Sequence, residues 1–295
     1  MGCDSLGFFT SLSSMNPVLQ LAIATLILGT SGVYIKLADL SPFVMTFFRA
    51  GIPLIFVSAL FLYRREPLFW GATPFLLLIS FLDAVRGLCY IIGFSYADLS
   101  SAVVILYTWP LFTTLFSWIF LKEAIPRRNL WLLPCFILGI AVIYANSEIN
   151  LSSRSFLGLT SVLIAAVLVA ATVVMYKIKA ADFSVYRLIF YQNLVAGVVS
   201  FPFLLGTYPG PNPFQFTMGG IYGVSIGIIG FMLFFSALTK LPASTTALLC
   251  YLEILSTIFC GIVFFQEQLS PNVILGAGLI LGASFCLKKT SDITP

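Results

Sequence analysis

Glu253 stands near the middle of an apolar stretch, Ala243 to Glu267 (ASTTALLCYLEILSTIFCGIVFFQE), that is long enough to span a bilayer. A carboxylate in hydrocarbon is costly and marks a functional site by default. There it can bind a substrate ammonium group or exchange a coupling proton; a structural pairing with a buried arginine is the bland alternative. Three more ionisable residues lie within apolar stretches: Arg49, Asp83 and Arg86. Asp83 and Arg86 have i, i+3 spacing and can pair on one helical face. A pre-paired couple is cheaper to bury and can be purely structural. The forked guanidinium of Arg49 suits a carboxylate, or it can snorkel or hold backbone carbonyls. Tyr90, Tyr107, Trp109 and Tyr251 are candidates to line a cavity, although aromatic residues inside bundles more often pack. Glu253, Arg49, Asp83, Arg86, Tyr107, Trp109, Tyr251 and Tyr90 are therefore the candidate substrate-binding residues.

The elements that carry these groups read as membrane spans. The chain has 295 residues, 60% hydrophobic and 9% charged, against about 25% charged in a soluble domain. Ten spans are expected. They run Pro17 to Ala38, Pro42 to Tyr63, Thr73 to Phe94, Leu99 to Leu121, Arg128 to Tyr144, Phe156 to Tyr176, Phe183 to Leu205, Thr217 to Leu238, Ala243 to Phe265 and Pro271 to Leu287. Ser41-Pro42 and Ser270-Pro271 read as an N-cap followed by proline at the first helical position. Thr207 to Pro213 (TYPGPNP) cannot be helical. Asn146 to Ser155 is polar and joins two halves, 17–146 and 156–289, of five spans each.

With the N-terminus inside, ten cations fall on the inner side (Arg64, Arg65, Lys122, Arg127, Arg128, Lys177, Lys179, Lys240, Lys288, Lys289) and two outside (Lys36, Arg154). This places both termini in the cytoplasm. The net charge of +4 is spread over loops and is no nucleic-acid footprint. Arg187 and Lys177 read as snorkelling residues near the inner surface. The six cysteines form no C-x-x-C pair and read as small hydrophobes. The chain has no histidine, which removes the commonest catalytic base and zinc ligand. No cofactor or metal is expected.

The stretch Leu99 to Glu123 matches Ala243 to Glu267 at a constant offset. Ser100 meets Ser244, Tyr107 meets Tyr251, Leu111 meets Leu255, Thr113 meets Thr257, Phe120 meets Phe264 and Glu123 meets Glu267. Trp109 and Glu253 share a column, each about eleven residues into its span, roughly 16 Å deep at the helical rise. Five spans is an odd number, so homologous halves must sit inverted in the membrane, a construction of many secondary transporters. Glu123 and Glu267 read as helix-end electrostatics and turn formation.

With SAVVILYTWPLFTTLFSWIFLKE in the fourth span, its counterpart in the ninth, Arg49 in SPFVMTFFRAGIP and the Gly-rich LGAGLILGASF at the end, the chain resembles the EamA-type ten-helix transporters of the drug/metabolite transporter superfamily. Lys122-Glu123 and Gln266-Glu267 stand where the family typically ends these spans with Gly-Glu, and Pro110 has Ile254 as its counterpart. The resemblance implies an all-α membrane carrier of two inverted five-helix repeats, moving small metabolites by alternating access. The expected partners are the lipid bilayer and a small polar substrate, an amino acid or an amino-acid-bearing or nucleoside-like metabolite, with a proton as candidate coupling ion. The expected location is a bacterial inner membrane. The alternatives are a membrane-embedded enzyme, which the lack of His and of a carboxylate pair disfavours, and a receptor or scaffold.

Overall fold

The structure is a computed structural model, which describes residues 15–67, 69, 74–121, 134–135, 137–139, 141–142, 153–179, 185–206, 210–238 and 243–286. The Arg128 to Tyr144 span lies mostly outside these residues. So do most of the Asn146 to Ser155 link, Glu123, Lys122 and the side chains of Lys177 and Tyr251.

The described residues are helical and contain no strand. Seven helical stretches among them are long and apolar enough to cross a membrane, and shorter apolar helices cover Leu252–Phe265 and Pro271–Gly282. Local chemistry sets the starts. Asn16 accepts a hydrogen bond from Val18 N–H ahead of Pro17. Ser41 accepts from Val44 N–H ahead of Pro42. Asn212 and Gln215 form a reciprocal capping box around Pro213, as orphan amides at a helix start require.

Among the described spans three are not single α-helices, a feature that hydrophobic length alone did not reveal. The first is two helices, Pro17–Gly29 and Ser31–Ala38, joined at Thr30. The fourth is Leu99–Leu106 and Trp109–Leu121. Pro110 has no N–H for the carbonyl four residues back, and the chain closes instead through Thr108 N–H to Ile105 O and Leu111 N–H to Thr108 O, both 3.0 Å. The eighth runs as Pro213–Tyr222, a π-helix Gly223–Gly230, and Phe231–Leu238.

Packing follows a pseudo-twofold scheme. The second span packs on the seventh and the fourth on the ninth. The third packs on the sixth, as the eighth does on the first; the fourth packs on the sixth, as the ninth does on the first; the third packs on the seventh, as the second does on the eighth. Exchanging each span with the one five places later maps this set onto itself. The fourth and ninth spans run antiparallel. The start of one, at Leu99 and Ser100, meets Glu267 beyond the end of the other, and their middles meet where Tyr107 touches Glu253.

Large apolar side chains cover the outside, Ile55, Phe259 and Leu205 among the most exposed, while Arg49, Asp83, Ser80, Thr25 and Thr257 are buried. Polar groups inside and apolar ones outside is the arrangement that lipid as solvent requires.

Candidate functional site

The ninth span brings Glu253 against the break of the first. Thr257 Oγ1 donates both to Glu253 O (2.9 Å) and to Gly29 O (3.0 Å), and Ser256 Oγ donates to Leu26 O at 2.9 Å. A Cβ on Gly29 would lie 2.7 Å from Glu253 O, so this close approach admits only glycine. From the other half, Tyr107 at the fourth-span break donates its hydroxyl to Glu253 Oε2 at 2.9 Å, with Cys250 O as a second acceptor. The break exposes a donor; the unbroken helix opposite presents the carboxylate.

A second cluster gathers spans two, three and eight. Asp83 Oδ1 accepts from Arg86 Nε at 2.8 Å. Arg49 is buried. Its guanidinium lies 5.6 Å over the Phe231 ring, and its electrostatic neighbours are Arg86, Tyr222, Asp83 and Tyr90. Gly87 makes room for it: a Cβ there would lie 2.6 Å from Arg49 Nη1. Asp83–Arg86 and Lys36–Glu267 form ion pairs; among the described residues the Arg49 end includes two cations, Arg49 and Arg86, and the Asp83 carboxylate.

Tyr90 lies within electrostatic reach of both clusters. It feels the charges of both Glu253 and Arg49 and shares a hydrogen bond with Ser31 Oγ, just past the first-span break; its ring stacks on Phe94 with centroids 4.3 Å apart. Of the residues singled out from sequence, Glu253 and Tyr107 touch, Asp83 and Arg86 pair, and Arg49 and Tyr90 lie beside them. Trp109 is partly buried against the core, and its carbonyl accepts from Thr113 Oγ1 at 3.0 Å. Tyr251 lies two residues before Glu253 on the same helix, and its side chain lies outside the described residues. Sequence reading missed Ser31, Gly87, Tyr222 and Phe231. Of these only Gly87, adjacent to a buried-arginine candidate, carried a signal.

Glu267 acts on a different helix from the one it follows. Its carboxylate accepts from Leu99 N–H (2.7 Å), Ser100 N–H (3.1 Å), Ser100 Oγ (3.0 Å) and Lys36 Nζ (3.0 Å). It caps the fourth span's N-terminus, where partial positive charge favours an anion. Burial pushes this carboxyl's pKa upward, but the bonds from Leu99, Lys36 and Ser100 outweigh it and hold the group below the ordinary carboxylate value. Lys36 also lies 5.1 Å over the Phe265 ring.

A crevice of about 500 Å³ opens elsewhere, between spans one, eight and nine, lined by Thr30, Tyr34, Ser225, Ser256 and Phe259 among others. Its Thr30, Ser225 and Ser256 hydroxyls already donate to backbone carbonyls, and Phe259 faces outward. It is a lipid-side feature apart from the charged cluster. Among the described residues no group of His, Cys, Asp and Glu could hold a metal ion.

The helical bundle and its charged interior define a polytopic all-α membrane protein. The EamA-like transporter family model matches residues 15–145 and 156–288; the chain belongs to that family and is a membrane transporter. It is 26% identical over 247 residues to the pseudopaline exporter CntI of Pseudomonas aeruginosa (strain UCBPP-PA14), covering 83% of this chain and 86% of that one. It is 26% identical over 246 residues to the S-adenosylmethionine uptake transporter of Rickettsia bellii (strain RML369-C), covering 83% of each. A solved crystal structure of a protein 16% identical shares the fold, with a TM-score of 0.63 over 92% of this chain and 95% of that chain.

Proposed function

We propose that this transporter carries a small zwitterionic metabolite, an amino acid or an amino-acid-bearing, nucleoside-like compound, by alternating access between two inverted five-span halves. One observation carries this: the buried ionisable groups form two poles, with Tyr90 within electrostatic reach of both. Among the described residues Arg49 and Arg86 exceed the Asp83 carboxylate at one pole. At the other, Glu253 is held by a hydroxyl of the opposite half. A dipolar site in low dielectric matches a dipolar substrate, because a buried charge needs a partner of opposite sign. Arg49 takes the carboxylate, and Glu253 takes the ammonium or exchanges it for a proton.

Two further supports are the breaks in the first and fourth spans and the π-helix of the eighth. Irregular backbone inside a bundle is tolerated where it lines a binding site. Among the relatives, one is named for uptake of S-adenosylmethionine, whose methionine end is a zwitterion, and another for export. The excess of cations on even-numbered connections supports a cytoplasmic location for both termini in a bacterial inner membrane; labelling of a Ser153→Cys protein by an impermeant reagent from outside checks this, and protection there rejects it.

The decisive test is counterflow in proteoliposomes with labelled amino acids, nucleosides and S-adenosylmethionine. Exchange of at least one zwitterion, competed by others but not by neutral sugars, is the expected result. Exchange restricted to neutral solutes would reject the dipolar site.

A further inference from the structure

Tyr222 has no exposed surface, and its hydroxyl finds no hydrogen-bond partner among the described residues. A buried, unsatisfied hydroxyl is destabilising and rare in native structures. Its charged neighbours are Arg49 and Arg86, and a guanidinium only donates. Among the described residues the phenol proton therefore lacks an acceptor, and it lies within electrostatic reach of both cations.

The backbone explains how the tyrosine comes to be there. Tyr222 immediately precedes the π-helix Gly223–Gly230, and Phe231 immediately follows it. On an α-helix, residues nine apart lie roughly 180° apart around the axis. With hydrogen bonds closing at i→i+5, each residue advances only about 82°, so a π run brings the same two residues to within roughly 40° of each other. Both do address Arg49: its guanidinium sits over the Phe231 ring, and Tyr222 is among its electrostatic neighbours. The π-helix docks on the turn that carries Arg49. A Cβ on Gly223 would lie 2.3 Å from Phe48 O, and one on Gly227 would lie 2.8 Å from Arg49 O. Pro53, inside the second span, has no N–H to offer that Arg49 carbonyl.

We propose that this π-helix is a specificity device, turning Tyr222 onto Arg49 so that the phenol hydroxyl and the guanidinium together bind the substrate's carboxylate. The assignment rests on the zwitterion reading above and names the residues that recognise one end of it. A carboxylate oxygen accepts from both donors at once, and with Arg86 paired to Asp83 the charge of Arg49 neutralises it. An amide or a bare amine cannot make that set of bonds.

The experiment reads binding without flux. Thermal-shift titrations of purified protein compare L-methionine with 3-(methylthio)propylamine, and S-adenosylmethionine with its decarboxylated form. Wild type should favour the carboxylate member of at least one pair. Tyr222→Phe should weaken that member about tenfold, as loss of a bond to a charged group does, and leave the decarboxylated partner unchanged. Unliganded Tyr222→Phe should be at least as heat-stable as wild type, because it loses only a hydroxyl without a partner among the described residues. Gly87→Ala, which displaces Arg49 Nη1, should weaken the same ligand selectively. Equal carboxylate affinity in Tyr222→Phe overturns the proposal. So does a lower melting temperature of that unliganded variant, which would mark packing, or a wild type blind to the carboxylate in both pairs. Carboxylate-selective binding without counterflow would instead reject the transported substrate and leave the subsite standing.

Discussion

The fourth and ninth spans are two copies of one element, yet they reach the middle of the bundle differently. The fourth breaks at Tyr107 and Thr108, ahead of Pro110; the ninth, with Ile254 in the matching column, is one helix, Ala243–Phe265. Each keeps its threonine bonded back to the residue one turn earlier, Thr113 to Trp109 O and Thr257 to Glu253 O. The two stretches share this bonding frame and differ at the column of the buried carboxylate: Trp109-Pro110 against Glu253-Ile254. The broken copy supplies a hydroxyl on an irregular turn. The continuous copy supplies a carboxylate on a rigid helix, its backbone fastened to Gly29 through Thr257.

The largest effect should come from the residue that has no equivalent in the other copy. Glu253→Gln is predicted to bring counterflow down to the level of empty vesicles, with expression and melting temperature intact, and to flatten any dependence on a proton gradient. Normal transport in that variant removes Glu253 from the site. Next comes healing the break. Pro110→Ala makes the fourth span resemble the ninth. Pro110 sits in the first turn of Trp109–Leu121, where proline is tolerated, so melting temperature should change little. Counterflow should fall roughly tenfold or more, because a shift of about 1 Å at a positioned group is that costly. Unchanged flux would mean the break has no part in the site.

The smallest effect on transport is expected at Glu267, which joins the two copies at their ends. Its folded pKa is lowered, so its stabilising contribution is present in full above the unfolded carboxylate value of about 4.3. It is lost as pH falls through the lower folded value. Melting temperature should therefore drop on the acid side, and Glu267→Gln should blunt that drop while lowering neutral-pH stability by about 1 kcal/mol. An identical acid-side drop in the variant would show that other groups cause it.

Sequence carried the large features because they rest on transfer energetics: apolar length gave the spans, and isolated ions gave Glu253, Arg49 and the Asp83–Arg86 pair. Pro110 read only as a residue with Ile254 as its counterpart, and the break before it went unread. The break at Thr30 carries no local mark, since its hydroxyl bonds Ile27 O and the carbonyls it frees are met by Thr257 and Ser256 from a distant span. The π-helix was illegible for the same reason. Its glycines look like ordinary small residues until the second span's backbone lies against them. Tyr222 carried no mark in the sequence, and Glu267 read as an end of its own helix because nothing local points to Leu99.

That contact also bears on how the chain is made. Glu267 lies 168 residues after Leu99 and 231 after Lys36. While the ribosome is still translating the ninth span, the amides opening the fourth have been synthesised but lack this acceptor, and the Lys36 ammonium lacks this anion. At this corner the earliest segments to enter the membrane are completed by one of the last, so the finishing step of synthesis is also a finishing step of folding.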